Sequence, residues 1–206
     1  MARPAPREPD EGKFRVPASV RLPVELTPPE GFDPARVETW PDVDGRLEWV
    51  AGRLLYMPPC GQRQAETVTD VVITLGSWAR SHPEFVVGTA DAGLDTEKDT
   101  RGADAAIWRR ADVRPVTGSF STVPPLLAVE VAGRDERERE LREKARWYLD
   151  ARVPIVWLVL PEDSEVVVMT PDGESRHRSG DRLPADPRLP GLAPAVDDFF
   201  LQISRG

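Results

Sequence analysis

The chain has 206 residues, 40% of them hydrophobic and 30% charged, with a formal net charge of -8 at pH 7. This length and balance are typical of one globular domain with some additional loop. The acidic charge disfavours nonspecific nucleic-acid binding through a broadly basic surface. No apolar run approaches the roughly 18 residues of a transmembrane helix, and a single cysteine, Cys60, excludes an internal disulfide and a multi-cysteine zinc site.

The first 30 residues predict an irregular, proline-rich arm, because proline and charge dominate and neither a helical nor a strand period holds. Residues 31–206 are predicted to form a single domain. The first residues lack the apolar core of a secretory signal. A cytoplasmic location without a membrane partner is therefore the default expectation.

A hairpin and a helix are the first regular elements predicted along the chain. Residues 46–50 and 53–57 alternate between polar and apolar side chains, and the Ala51-Gly52 pair between them is a turn signal, so the segment predicts a β-hairpin. Residues 65–80 carry apolar side chains at helical spacing and predict an amphipathic helix.

A strand, a helix and a second strand are predicted in the next part of the chain. Residues 126–131 and 155–160 are nearly continuous apolar runs, typical of strands covered on both faces. Between them, residues 135–150 predict the strongest helix in the chain. This order predicts a right-handed crossover with parallel pairing of the two strands, and so an α/β (α+β) fold.

Shorter strands are predicted on both sides of this crossover unit. Residues 85–88 and 103–108 come before it, and residues 165–169 come after it. The rest of the chain is predicted to be mostly loop, ending in a short apolar segment at residues 196–201.

Lys144 stands out because the chain uses arginine almost everywhere else. Of the 27 basic residues, only Lys13, Lys98 and Lys144 are lysine. Either residue type would serve solubility, but lysine provides a compact ammonium whose pKa can be moved. The helix that carries Lys144 follows a strand ending in Glu130, and an earlier strand carries Asp104. Two carboxylates and a lysine in this order predict metal-assisted phosphodiester hydrolysis.

Asp104 and Glu130 are the candidate metal ligands. A carboxylate in an apolar strand needs a partner, a proton or a metal. If the two strands are neighbours, both carboxylates converge on one hard cation, and the Val131 carbonyl and waters complete the oxygen set that Mg²⁺ prefers, with Mn²⁺ as a substitute. Such an ion would orient a water and polarise the scissile phosphate. Lys144 would hold that water or stabilise the phosphate charge.

Structural alternatives stay open for these residues. An acid at a strand end, such as Glu130, is often a surface residue or a helix cap, and Lys144 is compatible with an ion pair to Glu140 at i, i+4. Arginines at residues 134–146 alternate with acidic residues, which is typical of a solvated, ion-paired helix and also compatible with a phosphate-binding face.

Four blocks of residues 40–200 resemble, in order, the Uma-two family, a branch of the PD-(D/E)XK nuclease superfamily. Leu47–Leu54 resembles its opening glutamate and hairpin, and Arg101–Ile107 its aspartate strand. Leu126–Val131 resembles its glutamate strand. The segment from Lys144 to Tyr148, with the apolar strand that follows it, resembles its lysine and tyrosine block.

This resemblance implies a restriction-endonuclease-like mixed sheet flanked by helices, acting on DNA. It implies that Asp104 and Glu130 bind the metal, that Lys144 is the catalytic lysine, and that Glu48 is an auxiliary acid near the metal. Glu48 is equally compatible with an exposed strand carboxylate. In this chain Tyr148, one turn after Lys144, is expected to pack in the core. A homodimer is an expectation of the resemblance only, because nucleases of this class often dimerise to cut both strands.

The chain departs from the family pattern at three points, which leaves room for altered substrate or metal affinity. Ala103 stands where a proline usually precedes the aspartate, and Ala132-Gly133 where Ser-Pro usually follows the glutamate strand. Gln62 or Gln64 stands where the family often has a histidine.

An Mg²⁺-dependent DNA endonuclease is the function predicted first. The alternative is a noncatalytic nuclease-like protein that serves as a binding or structural partner, which the acidic charge favours. A small-molecule hydrolase or transferase has no support, since the chain has no glycine-rich phosphate loop, no Gly-x-Ser-x-Gly segment and no Cys/His pair.

Overall fold

The computed structural model describes residues 22–113, 120–134 and 136–205, without the side chains of residues 90, 91 and 205. Within these residues, nine strands form one mixed sheet and two α-helices flank it. The strands are β1 (Val24–Leu26), β2 (Arg46–Val50), β3 (Arg53–Met57), β4 (Phe85–Asp95), β5 (Thr100–Arg109), β6 (Leu127–Val131), β7 (Val156–Leu160), β8 (Glu165–Thr170) and β9 (Gly173–Arg178). The helices are α1 (Gln62–Arg80) and α2 (Glu138–Asp150).

The sheet runs in the order β1-β3-β2-β5-β6-β7-β8-β9, and β4 pairs with β5 outside this path. The β6-α2-β7 unit is parallel, with Val129 opposite Trp157, so the predicted crossover is confirmed. β5 lies antiparallel to β6, with Ala105 opposite Val129. The strands that carry Asp104 and Glu130 are therefore neighbours.

The two helices cover opposite faces of the sheet, because alternate residues of a strand point to opposite sides. Val71 of α1 packs in one apolar cluster with Val129 and Trp157. Tyr148 of α2 packs in another cluster with Leu158. β6 and β7 are buried along their whole length, which explains why their sequences are nearly continuous apolar runs.

The predicted hairpin is confirmed with its bounds at Arg46–Val50 and Arg53–Met57. Its turn places Ala51 at φ 50° and Gly52 at φ 77°, which is the left-handed conformation that two-residue hairpin turns of this type require. This turn fixes the register that pairs Glu48 with Leu55.

The largest differences from the predicted strands concern β1, β4 and β9, and all three contain polar residues. β4 extends to Asp95 because it pairs along β5, with a bulge between Thr89 and Ala92. β9 lies in the predicted loop; it pairs with β8 and is mostly exposed, so its charged side chains are those of an edge strand. β1 pairs with β3 inside the predicted irregular arm. Residues 1–21 of that arm lie outside the described residues, and the domain division stays a prediction.

Both helices begin at other residues than predicted. α1 begins at Gln62, three residues earlier, because its first turn is polar and lies outside the apolar period. α2 begins at Glu138, and Asp135, the predicted start, lies outside the described residues. No helix in residues 22–113, 120–134 or 136–205 has the length and apolar character needed to cross a membrane.

Candidate active site

The predicted site residues come from four elements and meet beside α2. β2 provides Glu48, β5 provides Asp104, β6 provides Glu130 and Val131, and α2 provides Lys144. Glu48, Glu130 and Lys144 are buried, with exposed fractions of 3%, 2% and 8%. Charged residues are rarely buried to this degree unless they are paired. We call these residues the carboxylate–lysine cluster.

Lys144 is the centre of the cluster. Its Nζ lies 2.8 Å from Glu48 Oε1 and 2.9 Å from Glu130 Oε2, and it donates a hydrogen bond of 2.9 Å to the Gly102 carbonyl oxygen. Three oxygens match the three N–H donors of an ammonium. The alternative pairing of Lys144 with Glu140 is wrong, because the Glu140 carboxylate accepts from the Arg137 backbone N–H instead.

Burial lowers the pKa of Lys144, but the neighbouring carboxylates raise that pKa by more. Desolvation lowers the pKa of the Lys144 ammonium, whereas the charges of Glu130 and Glu48 raise it, and the net result is a pKa above its ordinary value. Glu48 also keeps its charge: burial raises its pKa, but Lys144, Arg46 and Arg101 together hold that pKa below its ordinary value. The cluster therefore contains a fixed ammonium and a fixed carboxylate.

Glu130 is held by two donors on α2. Its Oε2 accepts from Lys144, and its Oε1 accepts a hydrogen bond of 2.9 Å from the Tyr148 hydroxyl. Burial raises the pKa of Glu130 to about 7; Lys144 opposes this shift, while the charge of Asp104 adds to it. Glu130 is thus the member of the cluster whose charge changes near neutral pH.

Asp104 and the Val131 backbone lie next to Glu130. Asp104 Oδ2 accepts a hydrogen bond of 2.7 Å from the Val131 backbone N–H, and its Oδ1 lies 3.2 Å from Arg46 Nη1. The Val131 carbonyl oxygen accepts a hydrogen bond of 2.8 Å from Gln64 Nε2 on α1. Of the two glutamines that could replace the family's histidine, Gln64 is thus the one that reaches this site.

The oxygen groups of this site are of the kind that a hard cation binds. The carboxylates of Asp104 and Glu130 and the Val131 carbonyl are oxygen ligands on adjacent strands, as Mg²⁺ and Mn²⁺ require. Each of them, however, already accepts a hydrogen bond from the chain itself. Among the described residues, no group of three or more acidic, histidine or cysteine side chains is arranged to hold a metal ion. A bound cation would therefore share these oxygens with the hydrogen-bond donors or displace some of them.

Sequence reasoning gave no site role to three residues that contact the cluster, and it named Gln64 only as one of two candidates for the family's histidine position. Arg46 contacts Asp104, and Arg101 Nη1 lies 3.8 Å from Glu48 Oε2 while its guanidinium packs 5.3 Å from the ring centroid of Trp147. Tyr148, expected to be core packing, is buried and also bonds to Glu130. Gln64 bonds to Val131. Arg46 stands two residues before Glu48, so strand alternation carried a signal that these two side chains share a face, whereas Arg101 stands three residues before Asp104 and has no such signal.

Two of the three arginines of α2 are engaged in ion pairs on the protein surface. Arg139 Nε lies 3.7 Å from Glu143 Oε1, and Arg142 pairs with both Glu138 and Glu174. These pairs favour the interpretation of a solvated, ion-paired helix over a phosphate-binding face.

We predict that replacing Glu130 with glutamine changes how stability depends on pH. The pKa of Glu130 is about 7 in the folded protein, and its ordinary value is 4.5. At a pH between these two values, folded Glu130 retains a proton that it has released in the unfolded chain. The wild-type free energy of unfolding thus falls as pH rises through this window. Glu130→Gln lacks this proton, so its free energy of unfolding relative to wild type should rise by about 3 kcal/mol across the window.

Urea unfolding of both proteins at several pH values between 4.5 and 8 measures this difference. Glu143→Gln, at an exposed position on α2, is the control and should show no such trend. A constant difference between Glu130→Gln and wild type across this range would contradict the raised pKa of Glu130.

Comparisons with known proteins agree with this fold. The model of the Uma2 family, described as "putative restriction endonuclease", matches residues 34–199. A solved structure from Anabaena variabilis, titled as a putative nuclease belonging to DUF820, is similar at a TM-score of 0.70 and 14% identity, and the match covers 82% of this chain and 98% of that one. A search of curated proteins finds no match. Since the family model spans most of the chain, this protein belongs to the Uma2 family of restriction-endonuclease-like nucleases.

Proposed function

We propose that this chain is a metal-dependent DNA endonuclease that hydrolyses phosphodiester bonds at the carboxylate–lysine cluster. The observation that carries the proposal is the buried contact of Lys144 with Glu48 and Glu130, beside Asp104. Burying three such charges is expensive, and hydrophobic residues would serve packing better. A buried charged cluster in a nuclease fold is therefore best explained by chemistry.

The proposed roles follow from the contacts of each residue. Asp104, Glu130 and the Val131 carbonyl would hold Mg²⁺ or Mn²⁺, which when bound polarises the scissile phosphate and lowers the pKa of a water. Lys144 would turn the N–H that now contacts Glu130 toward the attacking water or the phosphate oxygen as negative charge develops. Glu48 would act as an auxiliary acid that keeps the Lys144 ammonium charged and oriented.

A noncatalytic nuclease-like binding or structural partner is the second candidate function. Two observations favour it: the candidate metal ligands all accept hydrogen bonds within the chain, and the net charge is -8. In that case, the cluster would be a closed network that stabilises the fold. A homodimer that cuts both DNA strands stays a prediction of the family resemblance.

Nicking of supercoiled plasmid with Mg²⁺ or Mn²⁺ tests the proposed function. We expect cleavage by the wild type and loss of cleavage in Asp104→Ala, Glu130→Ala and Lys144→Ala, because each substitution removes a proposed ligand or the ammonium. Lys98→Ala removes an exposed lysine and should cleave like the wild type. Equal cleavage by all variants would mean that the site lies elsewhere. No cleavage, together with no metal-dependent thermal shift, would favour the binding-partner function.

A further inference from the structure

A cavity of about 190 Å³ lies directly beside the carboxylate–lysine cluster, and the proposed hydrolysis does not use it. Three of its wall residues touch the cluster. Arg46 contacts Asp104, Arg101 lies 3.8 Å from Glu48, and the Gly102 carbonyl accepts from Lys144. A phosphate bound at the cluster would therefore have an adjoining nucleotide at the mouth of this cavity.

Aromatic rings form part of the cavity wall. Trp40 and Phe120 both line it, with ring centroids 5.4 Å apart and planes tilted by 56°. Phe32 packs behind Trp40, at a centroid distance of 5.7 Å, and connects it to Trp49 on β2. Phe120 packs so closely against Gly93 that a Cβ atom there would lie 1.9 Å from its ring. The rings are thus fixed by their neighbours rather than free on the surface.

The size of the cavity suits a single ring system. A protein cavity of about 150 Å³ holds benzene, and pockets for drug-sized ligands begin at about 300 Å³. A volume of about 190 Å³ falls between these limits. The cavity therefore has room for one planar heterocycle.

The polar groups in the wall match a nucleotide better than a bare phosphate. Arg46 and Arg101 bring two guanidinium groups, and the buried Arg101 Nε has no hydrogen-bond partner in the described part of the chain. Asp42, also in the wall, would repel a phosphate placed against it but can accept from the amino group of cytosine or adenine. The combination fits a base inside the cavity and its phosphate at the arginine side.

We infer that this cavity binds one unstacked nucleobase next to the scissile phosphate, so that the substrate is single-stranded or locally unpaired DNA. The inference rests on the proposed function, because DNA is the substrate class of that proposal. The acidic net charge agrees with it. A protein with a net charge of -8 gains little from phosphate contacts along a duplex, whereas base stacking on aromatic side chains adds affinity at a single nucleotide.

The test compares two DNA probes of equal charge under conditions without cleavage. One probe is a labelled twelve-nucleotide oligo-dC, and the other is a twelve-residue abasic deoxyribose-phosphate chain. With Ca²⁺ replacing Mg²⁺, fluorescence anisotropy should show that wild type binds oligo-dC about 5- to 100-fold more tightly than the abasic chain. A duplex of the same length should bind as weakly as the abasic chain.

Two substitutions in the cavity should remove this preference for bases. Trp40→Ala deletes the stacking ring, and Val43→Trp fills the cavity from an irregular segment while Trp40 and Phe120 stay in place. Trp40→Phe keeps an aromatic face and should retain most of the preference. Thermal melting shows which variants are folded, and Val43→Trp tests the inference if Trp40→Ala does not fold.

Equal wild-type affinity for both probes, or a preference retained in Trp40→Ala and Val43→Trp, would overturn the inference. Plasmid cleavage is scored separately. If cleavage depends on Asp104 but the protein shows no preference for the probe with bases, the endonuclease proposal stands and the cavity is not a base-binding site. A base preference that depends on Trp40, without cleavage, would support the cavity as a nucleotide site in a binding protein.

Discussion

Lys144→Met is expected to lower the rate of DNA cleavage by about 10²- to 10⁴-fold, the usual contribution of a positioned proton donor. It is also expected to destabilise the fold by about 3–5 kcal/mol at pH 8, the usual cost of breaking a buried ion pair by removing one partner. Glu48 and Glu130 would then both be buried without the ammonium that contacts them.

The pH dependence of this loss of stability distinguishes an electrostatic cause from a packing defect. Without Lys144, the pKa of Glu130, already raised to about 7, would rise further, because the ammonium is the charge that lowers it most. At pH 5 the carboxyl would take up a proton and lose its charge. The destabilisation by Lys144→Met should therefore be smaller at pH 5 than at pH 8, as measured by urea unfolding.

Two further lysine variants serve as controls. Lys98→Met replaces an exposed lysine and should change neither stability nor cleavage. Lys144→Arg keeps the charge, but a planar guanidinium cannot direct three donors from one atom toward Glu48, Glu130 and the Gly102 carbonyl. It should retain part of the stability and little of the cleavage. Cleavage near the wild-type rate in Lys144→Met would exclude this residue from the chemistry.

The choice of lysine at residue 144 was readable from the sequence, because arginine fills nearly every other basic position. Its contacts explain that choice, since three oxygens surround one nitrogen. Of the two carboxylates that contact Lys144, only one could be predicted from the sequence pattern. Glu130 stood out as an acid in an apolar strand, whereas Glu48 lies in an alternating strand where an acid is unremarkable, and only the family resemblance singled it out.

The fold likewise contains strands that could be predicted from the sequence and strands that could not. β6 and β7 were predictable because burial on both faces leaves a long apolar run. β9 was not, because its stability comes from main-chain pairing with β8, and its exposed side chains carry no apolar period. The contact between Gln64 and the Val131 carbonyl depends on how α1 packs against the end of β6, which no local pattern encodes.

Asp104→Asn is expected to abolish the stabilisation of the protein by Mn²⁺ and to lower cleavage by about 10³-fold or more. Asparagine keeps the shape of the side chain and an oxygen that can accept from the Val131 N–H. It removes the negative charge, which a hard cation needs. Charge stabilisation by a bound metal is worth several kcal/mol in the transition state, and each 1.36 kcal/mol changes the rate tenfold.

The pH dependence of the wild-type thermal shift identifies the second ligand in the same experiment. A metal ligand must be deprotonated, so protons compete with the cation. Since the pKa of Glu130 is raised to about 7 by burial, the Mn²⁺-induced rise in Tm should be small at pH 6 and larger at pH 8. Glu130→Gln should show no rise at either pH, whereas Glu143→Gln, exposed on α2, should behave like the wild type.

These outcomes separate a metal centre from a closed ion-pair network. A metal centre that includes Asp104 must bind Mn²⁺ in the wild type and lose that binding in Asp104→Asn, whether or not Mn²⁺ displaces Lys144 or Arg46 from the carboxylates. A closed network binds no cation, and Asp104→Asn would then change stability through its ion pair with Arg46 and its charge beside Glu130. If Mn²⁺ raises the Tm of wild type and of Asp104→Asn by the same amount, the cation binds in another part of the chain. The hydrolytic site would then lie there as well.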